Sequence, residues 1–332
     1  MGVTDSEYAV GIVGAGNIAT VLHMPIIENM DRTHIAYISD IDKGKAERAL
    51  LGYSGEAVGI DDASSGLPDC DLALITTPVG VRAPYITEFG RRGIPILTEK
   101  PFAPDLRTHR EFVDASETIA CNYQYVNFSP TRQAAQLANT TAFGELERVE
   151  ISQGLAPVSG LGTDHYRDDV ELSGGGVLVE SGCHTFSQLV HIFEDLSVVA
   201  AELEWTGTID VAATLQLEAA TVEGRVPIDY RLSMVESIPT TFRFVFENAT
   251  VSFDHTDAES VLEVTEDGEP VVALEPKAAW ATSGKEAVYL NWQRFLDDLE
   301  EDASPLRQSM MHRVTELLNE TYEQAGDRRE LQ

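Results

Sequence analysis

Glu180 and His184 stand four residues apart after the glycine run Gly174-Gly175-Gly176. On an α-helix that spacing puts both on one face, where the carboxylate can reach the imidazole. Such a contact fixes the ring tautomer and raises its basicity. A neutral imidazole that takes a proton from a hydroxyl is what hydride removal from the same carbon requires. The competing reading is an exposed i,i+4 ion pair. Lys100 is a second candidate. It lies in Thr98-Glu99-Lys100-Pro101, directly after a predicted strand, in a chain with only five lysines. The alternative for Lys100 is an ordinary surface residue after a strand. No third ligand has a convincing spacing for a metal site.

Hydride chemistry needs an acceptor, and the start of the chain offers a place for one. Tyr8–Val13 is an apolar run that ends in Gly14-Ala15-Gly16, and helix-forming sequence begins at Asn17-Ile18. Strand, glycine turn and helix form the layout of a dinucleotide-binding βα unit. Gly14 would allow the tight turn, Gly16 the close approach of backbone to a pyrophosphate, and Ala19 close packing of helix on strand. Asp40 ends the second predicted strand, 24 residues beyond Gly16. A carboxylate there accepts from the adenosine ribose and repels a 2′-phosphate, so it favours NAD over NADP. A loop aspartate preceding a helix, as Asp42 also does, is the simpler alternative.

These residues need a scaffold, and the first part of the chain alternates strands and helices. Strands are expected at Tyr8–Val13, His34–Ser39, Ala57–Ile60, Asp71–Thr76, Ile94–Leu97 and Thr118–Asn122. Helices are expected at Ile18–Met30, Lys43–Leu51, Val81–Arg92 and Asp105–Glu117. This pattern predicts an α/β Rossmann domain with a parallel sheet over residues 1–124. After Tyr125 the texture changes to many strands with period-two alternation, from Gly144–Gln153 to Pro270–Leu274. One helix, Leu178–Phe193, interrupts them, and two close the chain at Lys285–Glu301 and Ser304–Ala325. Residues 125–332 therefore read as an α+β domain on a large, mostly antiparallel open sheet.

Composition sets outer limits. A length of 332 residues fits two domains, and 43% hydrophobic content suffices for ordinary cores. No run approaches the ~20 apolar residues of a membrane span, and the N-terminus does not read as a signal peptide. Three scattered cysteines, Cys70, Cys121 and Cys183, give neither a disulfide framework nor a zinc pattern, so a reduced cytoplasmic setting is expected. The net charge of −32 makes nucleic acid and anionic membranes poor partners. Acids spread along a lysine-poor chain suggest a halophile, in which salt screens self-repulsion; a merely acidic protein is the alternative.

The assembled motifs resemble the Gfo/Idh/MocA oxidoreductases, the group containing glucose–fructose oxidoreductase and inositol dehydrogenase. The likeness rests on Gly11–Ala19 with His23 and Pro25, Glu99-Lys100-Pro101, Asn122–Tyr125, Gly144–Val149, His165–Gly176 and Glu180–His184. Gln124 stands where the family usually has arginine, Tyr166 where tryptophan is usual, and Glu180 where aspartate is usual. The resemblance implies a catalytic Lys100 with a commonly cis Lys–Pro peptide, a catalytic His184, and Glu180 as its orienting carboxylate. It implies an NAD site lined by Gly14, Gly16, Asn17, Ile18, Asp40, Thr76, Thr77, Pro78, Glu99 and Lys100. Candidate substrate contacts are Tyr123, His165, Tyr166, Arg167, Asp168 and His184. The implied activity is hydride transfer on a sugar, polyol or sugar derivative, by a homodimer or homotetramer joined through the second domain's sheet. Two alternatives stay open: an NAD-binding regulator or scaffold, and an enzyme with tightly held NAD that oxidises its substrate transiently.

Overall fold

The run Tyr8–Val13 forms β1, and its last four residues are buried. It sits inside a six-stranded sheet. The computed structural model describes residues 7–60, 66–155, 166–222, 224–301 and 308–326. From β1 the chain continues through α1 (Met24–Ile27), β2 (Thr33–Asp40), α2 (Lys43–Ala49), β3 (Glu56–Gly59) and β4 (Leu72–Ile75). It goes on through α3 (Ala83–Arg91), β5 (Ile96–Glu99), α4 (Leu106–Ala115) and β6 (Ile119–Asn122). The strands lie in the order β3-β2-β1-β4-β5-β6, and every pairing is parallel. All residues of β4, β5 and β6 are buried, as both faces of a doubly wound sheet are covered by helices. Strand order reverses between β1 and β4, so the crevice at their carboxyl ends is the place for a ligand.

The second group of elements follows a different rule. It comprises α5 (Ser129–Ala138), β7 (Leu146–Gly154), α6 (Val170–Ser173), α7 (Cys183–Ile192), β8 (Leu196–Thr206) and β9 (Ile209–Thr221). Then come β10 (Gly224–Ser233), β11 (Thr241–Phe246), β12 (Thr250–Phe253), β13 (Leu262–Glu266), β14 (Glu269–Leu274), α8 (Gly284–Glu300) and α9 (Gln308–Gln324). Its eight strands lie in the order β14-β13-β12-β11-β7-β10-β9-β8, antiparallel except where β10 meets β7. In β10, Val226, Ile228, Tyr230 and Leu232 are buried while Arg225, Pro227, Asp229 and Arg231 are exposed. One face therefore carries a core and the other is polar. On that polar face Arg148 and Arg243 both pair with Glu150.

The fold is an N-terminal Rossmann sheet followed by a large, mostly antiparallel sheet, as the sequence predicts. Two helices differ from expectation in the same way. The helix expected over Ile18–Met30 opens with a π-helical turn, Ala19–His23, before α1, and the one expected over Leu178–Phe193 opens with another, Leu178–Gly182, before α7. A π turn holds one residue more than an α turn and is frequent at functional sites. The second sits between two fixed points, the Leu178 amide on Asp210 and the Thr185 hydroxyl on Gln153. The start expected for the last helix, Ser304, lies outside the described residues.

By compactness the described residues form two units. The first takes in the chain up to Ala103, Arg107–Asn122 and Asn291–Gln308; the second takes in Pro104–Leu106, Tyr123–Leu290 and the chain from Ser309. A single cut after residue 124 thus misses the stretch from Asn291. Its Trp292 is fully buried and hydrogen-bonded to His23 of the first unit.

In the second unit, α7 is tied to its surroundings by polar side chains that are themselves buried. Thr185, Gln153 and Tyr230 form a closed triangle with sides of 3.0–3.1 Å. Gln188 donates to the Thr131 hydroxyl and the His255 carbonyl, and His255 Nδ1 meets Gln188 Oε1 at 3.1 Å. Burial pushes the His255 pKa down from 6.5 to about 4, against the pull of the Asp254 charge. A depressed histidine pKa means that the folded state holds fewer protons than the unfolded chain between those values. Its contribution is complete above pH 6.5 and is lost as pH falls toward 4, a change of about 3 kcal/mol. Urea unfolding across pH at constant salt should show this acid-side loss, and His255→Asn should flatten it. Parallel pH profiles for the two proteins would contradict the assignment.

Candidate active site

The turn after β1 is held from three sides. Gly14 has φ of +102°, and its amide donates to the Ser39 carbonyl at the end of β2. A Cβ added at Gly14 would meet Thr76 Oγ1 at 2.8 Å, so this position has both a conformational and a steric need for glycine. Thr76 Oγ1 in turn donates to the Val13 and Gly14 carbonyls. Asp40 supports the turn from the β2 side: its Oδ2 accepts from the Ala15 amide at 2.8 Å and its Oδ1 from the Asp42 amide at 2.9 Å. Gly16 behaves differently, since a Cβ added there would meet no described protein atom within 4 Å. Packing within the protein therefore does not demand glycine at 16, whereas a phosphate lying against the backbone would. Thr77 Oγ1 is buried and makes no hydrogen bond to any described residue. The turn, the open side of Gly16 and the Thr77 hydroxyl together fit a dinucleotide at the β1/β4 crevice.

The next strand end carries Lys100. Lys100–Pro101 is a cis peptide. Beneath it Glu99 is 4% exposed and yet accepts three hydrogen bonds. Its Oε1 meets His23 Nε2 at 2.8 Å and Asn122 Nδ2 at 2.6 Å, and its Oε2 accepts the Lys100 amide at 3.2 Å. Burial alone would raise the carboxyl pKa. The bond and electrostatic interaction with His23, the bond from Asn122 and the nearby Lys100 charge outweigh it, and the Glu99 pKa is lowered. Arg82 closes the same region. It is buried, and its guanidinium donates to the carbonyls of Thr77 at 2.9 Å, Glu99 at 2.5 Å, Lys100 at 3.4 Å and Pro101. One side chain thereby couples the loop after β4 to the loop after β5.

In the second unit, His184 is 7% exposed at the start of α7. Its ring stacks on Tyr125, with centroids 4.0 Å apart and planes at 13°. Tyr125 also stacks on Phe128. Glu180 Oε1 accepts from Arg167 Nη2 at 3.0 Å, and the Arg167 guanidinium lies 5.6 Å from the Tyr166 ring centroid. The loop leading into this helix hangs on Asp210. Gly176 and Leu178 donate their amides to its two oxygens at 2.7 and 2.9 Å, and the Tyr322 hydroxyl adds a third bond at 2.8 Å. Burial nonetheless raises the Asp210 pKa. A Cβ on Gly176 would meet the Asp210 carbonyl at 2.0 Å, so this glycine is required by close packing on β9.

Residues 8–126 match the GFO_IDH_MocA family model, described as "Oxidoreductase family, NAD-binding Rossmann fold". The match takes in all six strands of the parallel sheet, from β1 to β6. Inositol 2-dehydrogenase 4 of Saccharopolyspora erythraea is 29% identical over 149 residues, 44% of either chain. The dTDP-3,4-didehydro-2,6-dideoxy-alpha-D-glucose 3-reductase of Actinomadura kijaniata is 26% identical over 204 residues, 60% of this chain and 58% of that one. The chain thus spans about half the length of the curated relatives it matches. The fold likeness runs further. The solved structure of KijD10, a 3-ketoreductase from Actinomadura kijaniata in complex with NADP and TDP-benzene, superimposes with a TM-score of 0.80. It covers 94% of this chain and 96% of that one at 18% identity. An oxidoreductase from Thermotoga maritima gives 0.78 over 97% of both chains at 17% identity.

The parallel sheet brings Gly14, Gly16, Asp40, Thr76, Thr77 and Pro78 to one crevice, where the ends of β1, β2 and β4 adjoin. Glu99 needs correction as a cofactor ligand. Its side chain is buried and its oxygens serve His23, Asn122 and the Lys100 amide, so it forms the floor under Lys100. Tyr123 also needs correction as a substrate contact, since at 1% exposure it is a core residue. Tyr166–Asp168 is a short 3-10 turn, with Tyr166 exposed and Arg167 engaged by Glu180. His165 lies outside the described residues. Sequence reasoning assigned no role to Arg82, Tyr125, Asp210 or Trp292. Asp210 alone left a signal, an acid inside the apolar run Ile209–Ala213 of a strand.

The open side of Gly16 gives a direct test. Gly16→Ala should leave the thermal midpoint unchanged and weaken NAD binding by about tenfold or more, as measured by calorimetric titration. Equal NAD affinity in the two proteins would show that nothing binds against this backbone.

Proposed function

We propose that the chain is an NAD-dependent oxidoreductase that transfers a hydride between nicotinamide and a hydroxyl-bearing carbon of a sugar, polyol or sugar derivative. The observation that carries this reading is Lys100. It stands at the carboxyl end of β5, over a buried ionised Glu99, in a loop that Arg82 joins to the Thr77 loop of the dinucleotide crevice. Inositol dehydrogenase and the dTDP-sugar reductase, both acting on sugar-like carbons by name, support the substrate class.

NAD, when bound, supplies the hydride acceptor. Gly14, Gly16, Asn17 and Ile18 hold its pyrophosphate, and Asp40 holds the adenosine ribose. Thr76, Thr77 and Pro78 line the nicotinamide side. Asp40 disfavours a 2′-phosphate, so NAD is preferred over NADP. An imidazole nitrogen of His184 takes the hydroxyl proton in the oxidative direction, and the Lys100 ammonium hydrogen-bonds the reacting oxygen and stabilises its charge. Glu180 orients His184 and is itself set by Arg167. Tyr166 and Arg167 contact substrate. Two further features belong to the same reading. The excess of acids makes the enzyme one of molar salt, and the polar sheet face joins copies into a dimer or tetramer.

A panel of sugars and polyols in molar KCl, with NAD and NADP in separate arms, tests the activity through nicotinamide absorbance. Lys100→Met should lower turnover about 10²–10³-fold while NAD binding survives, the usual cost of one lost charge-stabilising donor. Glu180→Asp should retain more turnover than Glu180→Ala. Near-normal turnover in Lys100→Met would sink the assignment, and full activity in both Glu180 variants would remove that carboxylate from the machinery.

A further inference from the structure

Lys100 is served by a hydrogen-bond chain that reaches far along the sequence. Trp292 Nε1 donates to His23 Nδ1 at 3.0 Å, and His23 Nε2 faces Glu99 Oε1 at 2.8 Å. From the other side Asn291 Nδ2 donates to Asn122 Oδ1 at 2.5 Å, and Asn122 Nδ2 donates to the same Glu99 oxygen. His23, Asn122, Asn291 and Trp292 are all completely buried.

The proton inventory of this chain has one solution. An indole nitrogen can only donate, so His23 Nδ1 must be the bare nitrogen. Its single proton is then on Nε2 and points at Glu99. These bonds all run toward one carboxylate: Trp292 to His23 to Glu99, Asn291 to Asn122 to Glu99, and the Lys100 amide to Glu99. None of the four side chains feeding Glu99 carries a positive charge in this arrangement. Apart from His23, the cationic side chains beside Glu99 are Lys100, the next residue, and Arg82, whose guanidinium is on the Glu99 carbonyl.

We propose that Trp292 and His23 are positioning residues of the Lys100 site: the indole N–H holds His23 as a neutral Nε2–H donor, so that the charge of Glu99 is left as the counter-charge of Lys100. The proposal rests on the reading of Lys100 as the group that stabilises the reacting oxygen. If the indole is removed, Nδ1 is open to a proton. A doubly protonated His23 would then form the ion pair with Glu99 and take that charge away from Lys100. Gln at position 23 imitates the locked ring, because its amide oxygen can accept from Trp292 while its NH2 donates to Glu99 and cannot gain a proton.

Nitrogen NMR of the imidazoles in the intact protein tests the tautomer, with the His23 signals assigned by their loss in His23→Gln. The expected spectrum at neutral pH shows His23 protonated at Nε2 alone, and in Trp292→Phe a proton also at Nδ1. The pH profile of kcat tests the consequence. Trp292→Phe should acquire a further acid-side fall of about tenfold, beyond the one that protonation of His184 gives the parent, the size expected when one neighbouring charge is neutralised. The double variant His23→Gln/Trp292→Phe should lose that fall. A purely structural Trp292 predicts a loss that does not change with pH and is not corrected by Gln at 23, and that outcome overturns the proposal. A parent spectrum with His23 protonated at Nδ1 overturns it as well. Failure of the Lys100 reading is seen separately, as turnover retained in Lys100→Met with the His23 spectrum unchanged.

Discussion

A carboxylate buried at the end of a sheet has to be kept charged, and much of the first unit is arranged around doing so. Moving Glu99 out of water costs several kcal/mol. Hydrogen bonds to a charged group return about 1.5–3 kcal/mol each, and three such bonds roughly offset the cost. The balance leaves no donor to spare. His23 must therefore come from the π turn after the glycine loop, Asn122 from the last strand, and Trp292 from a helix far along the sequence. The π turn after the glycine loop and the strand end that carries Lys100 share one set of buried bonds.

The two units solve the same problem with opposite charges. Near Lys100, a buried guanidinium gathers four backbone carbonyls from two loops. Near His184, a buried carboxylate gathers two backbone amides and a tyrosine hydroxyl at the glycine run. In both places an irregular stretch of backbone, which regular pairing cannot satisfy, is held by one buried acidic or basic side chain. The candidate residues sit close by: Lys100 among the Arg82 carbonyls, Glu180 and His184 after the Asp210 amides. A cation that gathers carbonyls and an anion that gathers amides each leave a rigid loop end.

Elements were legible because their signals are local. β1 lies where the apolar run ends at Gly14, and Thr250–Phe253 is a strand to the residue. The turn at Gly14 was legible because a glycine closing an apolar run is a local signal, whereas the bond from the Ala15 amide to Asp40 was not, since it joins residues 25 positions apart. The π turns were not legible, since a sequence periodic at 3.6 residues does not show one extra residue absorbed between two anchored ends. Glu99 and Tyr123 were read as ligand contacts because motif position says nothing about burial. Arg82 and Trp292 could not be found at all. Their partners are backbone carbonyls in one case and a histidine 269 positions away in the other, and neither leaves a pattern within a window of sequence.

The stretch from Asn291 has a meaning for modularity. A nucleotide-binding domain is often imagined as a cassette that recombination can move as one block of sequence. Here the block is discontinuous: a segment cut after β6 would carry the glycine turn, Asp40 and Lys100, and leave behind the indole that fixes His23 and the amide that fixes Asn122. Grafted onto another partner, it would keep the groups that grip a dinucleotide but not the setting of its lysine. Inheritance of binding and inheritance of reactivity are thus separable in this chain, with the boundary between them written into its distant helix.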